Sequence, residues 1–235
     1  MIKAQTISRE MATSAPGEWL QKIGGIAALL LGVFYAAFLA VFLFVLPSLG
    51  FDRSMFRDPP RFVAFVVAHY SIYYAIVLVA VLVAPTIVVL VRALDERMRA
   101  TTASPSLIAI ATAFGYVGAT ILFLNWLFQY TAISAFASAP PAFSAGVQAS
   151  VTFDMTNLGA ALALGVWTLL LSIPAIRTGG LPKWLAYFGI LVALGDLLVL
   201  FVLPIGTLLT TIWYLAVGVV LLTSKMSEAG IAQAR

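Results

Sequence analysis

Apolar residues fill six long blocks of this chain, set apart by short polar stretches, and the block lengths suit membrane-crossing helices. A helix rises 1.5 Å per residue, so about 20 apolar residues cross a hydrocarbon layer about 30 Å thick. The pattern predicts helices over residues 23–46, 62–91, 106–130, 152–176, 181–204 and 207–223. Pro47 stops the first, Pro59 and Pro60 precede the second, and Pro85 is expected to kink the second near its far end. Pro174 is expected to bend or end the fourth, and a tight turn at Pro204–Gly206 to join the fifth to the sixth. The fold class is all-α: a polytopic membrane protein with six transmembrane helices. Residues 1–22 read as an N-terminal tail, mobile or forming a short interfacial helix that leads to Trp19. Residues 23–223 read as the transmembrane domain and 224–235 as a C-terminal tail. The uncharged connection over 131–151 reads as a lid or a short surface helix.

Small residues mark the faces on which these helices meet. The first helix carries Gly24, Ala28, Gly32, Ala36 and Ala40 at steps of four; the third carries Ala111, Gly115, Gly118, Leu122, Asn125 and Gln129 at steps of three and four. The fourth repeats the pattern with Asp154, Asn157, Ala161, Gly165, Thr168 and Ser172, and the fifth with Ala186, Gly189, Ala193 and Asp196. Without a hydrophobic force between helices in lipid, such faces allow close backbone approach. Polar groups on them point at neighbouring helices rather than at lipid.

Composition agrees with the pattern and narrows the chemistry. Only 9% of residues are charged and the mean hydropathy is +1.07, against about 25% charged in soluble domains. The net charge of +4 is scattered over connecting segments and forms no stripe, so a nucleic-acid partner is excluded in favour of a lipid bilayer. No cysteine is present, which removes disulfides and thiolate–metal sites, and the single histidine, His69, cannot build a multi-histidine zinc or haem site. No cofactor or metal is expected. The positive charges also set an orientation. Lys3, Arg9, Lys22, Arg92, Arg97, Arg99, Arg177, Lys183, Lys225 and Arg235 fall on the side of the N-terminus, and only Arg53, Arg57 and Arg61 on the other. Ten against three predicts both termini in the cytoplasm.

With that orientation the intramembrane polar residues gather in the outer half. Asp196 stands out because a carboxylate in the apolar layer costs at least about 2.5–3.5 kcal/mol and requires a partner, a proton or a water-filled cavity. It lies about 18 Å along its helix from Trp184 and about 10 Å from that helix's outer end. His69 falls at a matching depth on the second helix, with Asn125 and Gln129 on the third, Asn157 on the fourth and Thr207 and Thr211 opening the sixth. The candidate site is an outward-opening polar pocket floored by Asp196 and rimmed by Tyr70, Tyr73, Trp126 and Tyr130. Its ligand- or proton-binding residues are Asp196, His69, Asn125, Gln129, Asn157 and Tyr73. Each has a plainer reading. The amides serve as interhelical hydrogen bonds worth roughly 0.6 kcal/mol each. His69 serves as an interfacial histidine, the aromatic residues as an interfacial belt, and Asp154 as a helix-start charge favoured by the dipole.

The segment Leu181-Pro182-Lys183-Trp184-Leu185 followed by Gly189 resembles the start of the fifth helix in a bacterial membrane-protein family, domain of unknown function 4386. The glycine-rich start of the first helix and the six-helix layout are similar too. The resemblance implies a bacterial inner-membrane protein and carries over no activity, substrate or catalytic residue.

The leading reading is a non-enzymatic inner-membrane protein whose pocket binds a small ligand or a proton for transport or sensing. The alternative is an accessory or assembly subunit of a homo-oligomer or larger membrane complex, with the first helix's small-residue stripe packed on a partner. A third reading, an intramembrane enzyme using His69 and Asp196, has only their matching depth behind it; no catalytic motif supports it.

Overall fold

The structure, a computed structural model, describes residues 16–52, 54–55, 58–101, 104–138 and 143–224. Among these the regular structure is helical: α1 (Pro16–Ala40), α2 (Pro59–Ala68), α3 (Tyr70–Val81), α4 (Val83–Arg99), α5 (Pro105–Ser138), α6 (Phe143–Thr178), α7 (Lys183–Leu197) and α8 (Val199–Thr223). Five stretches are long and apolar enough to cross a membrane: Gly17–Ser48, Tyr70–Arg99, Pro105–Ala132, Asn157–Thr178 and Ile205–Thr223. The chain is a multi-pass membrane protein. Of the six spans expected, the fifth forms as α7, whose 15 residues reach about 22 Å, short of a hydrocarbon layer about 30 Å thick.

The first helix outlasts its expected stop. Pro47 lacks an N–H, and in a regular helix its ring collides with the carbonyl four residues back. The chain answers with a π-helical segment, Val41–Val45, directly before one more α-turn, Leu46–Ser48. The true stop is Gly50, whose φ of +90° is the left-handed conformation that favours glycine. The Gly50 amide donates to Pro47 O and the Phe51 amide to Leu46 O, and Phe51 packs on Leu46 in a small buried cluster. This is a Schellman cap complete with its apolar contact.

The second helix is not continuous over 62–91. Asp58 caps α2 by accepting from the Arg61 amide, ahead of two prolines in the first turn. The chain breaks at His69 (φ −119°, ψ 32°) and again at Leu82, three residues before Pro85. Thr86 Oγ1 donates to Leu82 O, which also accepts the Thr86 amide. The stretch expected as a loop from Arg92 is helical to Arg99, because Arg92, Asp95, Glu96 and Arg99 stand three and four apart and pair along one face. The connection over 131–151 is shortened from both sides, since α5 continues to Ser138 and α6 starts at Phe143. Pro174 lies inside α6, which ends only at the αL-type cap of Gly179.

The turn expected at Pro204–Gly206 also moves. α7 ends at Leu197, and α8 begins at Val199 and runs through Pro204. The reason is a glycine-on-glycine contact. A Cβ on Gly206 would stand 3.3 Å from Gly195 O, so α7 and α8 touch backbone to backbone there and the chain must reverse between the two glycines. At its start α1 reaches back to Pro16, ahead of the expected Ile23, and its first turns carry Trp19, which is 62% exposed; the rest of the expected tail, 1–15, lies outside the described residues.

Neighbours in sequence pack side by side, α4 on α5, α5 on α6, α6 on α7 and α7 on α8, while α1 packs on both α4 and α8 and closes a ring. The short α2 lies on α5 and α6, and α3 on α5. The predicted small-residue faces form the seams: Gly24 meets Ala93, Gly25 meets Gly218, Gly32 meets Leu215, Gly118 meets Leu164 and Gly189 meets Ser172. The buried half of the α1 stripe is thus taken up within the chain, while Ala36 and Ala40 are not buried.

Candidate functional site

Asp196 sits one residue before the end of α7, on the face that carries Ala186, Gly189 and Ala193 inward. Opposite it on α6 is Gly165, where a side chain would come within 3.1 Å of the Asp196 Cβ. The glycine makes room for the carboxyl group. Thr210 Oγ1 on α8 donates to Asp196 Oδ1 at 3.0 Å. Tyr214 stands one turn after Thr210 on α8, and its ring packs at 5.6 Å on that of Tyr35 of α1. Helices α6 and α8 thus meet the carboxyl group of α7, with α1 joined through Tyr35.

Among the described residues, Asp196 makes no ion pair, and Thr210 supplies its one hydrogen bond. The Tyr35 and Tyr214 hydroxyls have no hydrogen-bond partner among these residues either. Tyr214 packs in turn on Trp213 at 5.4 Å, and Trp213 meets Trp167 edge to face at 6.0 Å.

The other predicted site residues fall into separate groups. Asn125 Nδ2 donates to Asn157 Oδ1 at 3.2 Å, joining α5 to α6 two turns of α6 away from Gly165. Gln129, one turn beyond Asn125, has a buried Nε2 without a partner. The Asp154 side chain lies outside the described residues. His69 stands at the α2–α3 joint with Nδ1 3.0 Å from Phe65 O and its ring 4.4 Å from the Phe65 ring. It is not paired with Asp196. Tyr73 packs edge-on against Phe62 and Phe65. Tyr74, not Tyr73, makes the polar contact, a 2.8 Å hydroxyl–hydroxyl bond to Tyr130. Trp126 packs on Phe38.

Tyr35, Tyr214 and Thr210 carry a signal that the sequence reading passed over. Belt tyrosines sit at the ends of spans, whereas Tyr35 and Tyr214 lie mid-span in α1 and α8. A second polar centre was missed at the opposite end. Asp95, 2% exposed, accepts from Arg92 Nη1 at 2.9 Å, Arg99 Nε at 2.8 Å and Thr112 Oγ1 at 2.7 Å. Beside it Arg97 donates to Gly180 O and Ser224 Oγ, and Gln21 Nε2 donates to Leu221 O and Ser224 O. This layer binds α1, α4, α5, the α6–α7 connection and the end of α8 into one braced end.

No group of three or more metal-ligating side chains occurs among the described residues. No curated protein and no solved structure matches the chain. The family model for a domain of unknown function, DUF4386, matches residues 30–227, which take in α6, α7 and α8 whole and the part of α1 that holds Tyr35, and the chain belongs to that family.

Proposed function

We propose that this protein binds a small ligand or a proton at Asp196, in a pocket that opens to the outer side of the inner membrane, for transport or sensing. The observation that carries this reading is a carboxylate without an ion-pair partner among the described residues on the inward face of the ring, held by Thr210 one turn from Tyr214, on which Tyr35 packs. A carboxylate kept in the apolar layer without a basic partner is a functional site by default. The direction of opening is supported by the braced layer around Asp95, Arg97 and Gln21 at the end that carries the N- and C-termini. The interruptions at Val41–Val45, His69 and Leu198 fall away from that end. Irregular backbone at membrane depth is tolerated where it lines protein or a wet cavity.

The absence of cysteine gives a clean background for the test. Single cysteines at Tyr35 and Tyr214, and lipid-facing controls at Leu191 and Leu208, are treated in intact cells with a membrane-impermeant maleimide. Labelling at the first two and not at the controls is expected, since the reagent needs water to reach the thiol. Absence of labelling at both pocket positions sinks the outward pocket.

A further inference from the structure

The chemistry around Asp196 restricts what the pocket holds. The surrounding donors and acceptors are oxygens: the carboxyl group, Thr210 Oγ1 and the Tyr35 and Tyr214 hydroxyls. The rings of Tyr35 and Tyr214 pack at 5.6 Å one turn along α8 from Thr210, and the negative face of a ring attracts a cation. Oxygen ligands with a carboxylate are the set that suits hard cations, and they repel an anion.

Among the described residues, no side chain supplies the balancing charge. On α7 the basic residue is Lys183 at the far end, thirteen residues and about 20 Å away. α8 carries no charged residue from Val199 to Thr223. On α6 Arg177 stands twelve residues from Gly165, about 18 Å along the helix, and on α1 Glu18 and Lys22 sit in the first turns and pair with each other. On α8 and on this part of α1 the titratable groups are Tyr214 and Tyr35, and α6 meets Asp196 at Gly165.

Asp196 makes one side-chain hydrogen bond among the described residues, with Thr210 Oγ1 at 3.0 Å, so no protein group there holds its second carboxyl oxygen.

We infer that the Asp196 pocket takes a monovalent cation, which neutralises the carboxylate between Thr210, Tyr35 and Tyr214. This rests on the pocket reading above and names its ligand class. The cation is a proton, an alkali ion or a small ammonium. A single carboxylate balances one charge, and a divalent ion would require further anionic ligands that the described residues do not provide.

The test is infrared difference spectroscopy on the full chain in lipid nanodiscs, wild type minus Asp196→Asn, over a pH series with Na⁺, K⁺ or methylammonium varied at constant ionic strength. The expected result is one carboxylic-acid band, absent from the variant, that is lost as pH rises. Conversion to carboxylate at fixed pH on adding Na⁺, K⁺ or methylammonium assigns that ion. Conversion by pH alone assigns the proton. Thr210→Val, which removes the one bond to the carboxyl, should move the same band and so identifies it if the Asn variant does not fold. A band that stays acid at every pH and in every ion overturns the inference. So does a carboxylate that persists at every pH without small cations. Maleimide labelling at the Tyr35 and Tyr214 positions together with an unresponsive carboxyl would overturn the cation and keep the pocket. No labelling would overturn the pocket itself.

Discussion

Ser172 and Trp213 each bury a polar hydrogen with no acceptor, at the point where α6, α7 and α8 meet. Both abut Gly189. A Cβ at that position would collide with Ser172 Oγ and come within 3.0 Å of Trp213 Nε1. Gly189→Ala is therefore expected to destabilise by about 1–3 kcal/mol through overpacking. Ser172→Ala removes a hydroxyl that makes no bond and should stay within about 1 kcal/mol of wild type. The double variant gives the added methyl group the space the hydroxyl held, so it should recover at least about 0.5 kcal/mol relative to the sum of the single changes. Denaturation in mild detergent measures all three, and strict additivity would refute the contact. At this scale the sequence was informative where size and period decide. The faces Ala111–Gly115–Gly118–Leu122–Asn125, Gly165–Thr168–Ser172 and Ala186–Gly189–Ala193 turn inward as their spacing predicts. It was silent on which polar residue meets which. Asn125 and Asn157 are bonded to each other rather than to Asp196, because helical period fixes a side chain's face and not the rotation of one helix against the next.

Helices proved legible in their existence and less so in their interruptions. Prolines announced trouble at Pro47 and Pro85, but in both cases the distortion lies N-terminal to the ring, at Val41–Val45 and Leu82. That offset follows from the missing bond, which frees a carbonyl one turn earlier. The break at His69 has no proline and was not foreseen. Polarity misled in the other direction at Arg92–Arg99, where a dense run of charge reads as a loop but is helix. Its carboxylate Asp95 is buried between two arginines and the Thr112 hydroxyl of α5. The three contacts are charge-assisted, so Asp95→Asn should cost about 1–3 kcal/mol. Glu96 is more exposed and stands 4.0 Å from Arg92, so Glu96→Gln should change stability by no more than about 0.5 kcal/mol. Thermal unfolding of the two variants side by side checks this, and similar effects from both would mean that Asp95 does not brace α4 against α5.

At the scale of the molecule, one seam decides whether six consecutive segments form a closed ring or an open row. That seam joins α1 to α8, the first and last helices, which sequence order alone does not place together. Gly25 and Gly218 let the two backbones touch. A Cβ on Gly218 would stand 2.9 Å from Gly25 O, and a Cβ on Gly25 would stand 3.2 Å from Gly218 O. Backbone cannot swing aside as a side chain can, so Gly218→Val must push the helices apart. Opening this seam would separate Tyr35 on α1 from Tyr214 and Thr210 on α8, and so dismantle the surroundings of Asp196 from two helices away. Cysteines at Gln21 and Ser224, whose native side chain and carbonyl meet at 2.6 Å, report on closure in this cysteine-free chain. A short bismaleimide should join them within one chain and lose that product in the Gly218→Val background. A product of doubled mass instead would mean that α1 of one copy closes on α8 of another. The ring, and the Asp196 site within it, would then belong to a homo-oligomer.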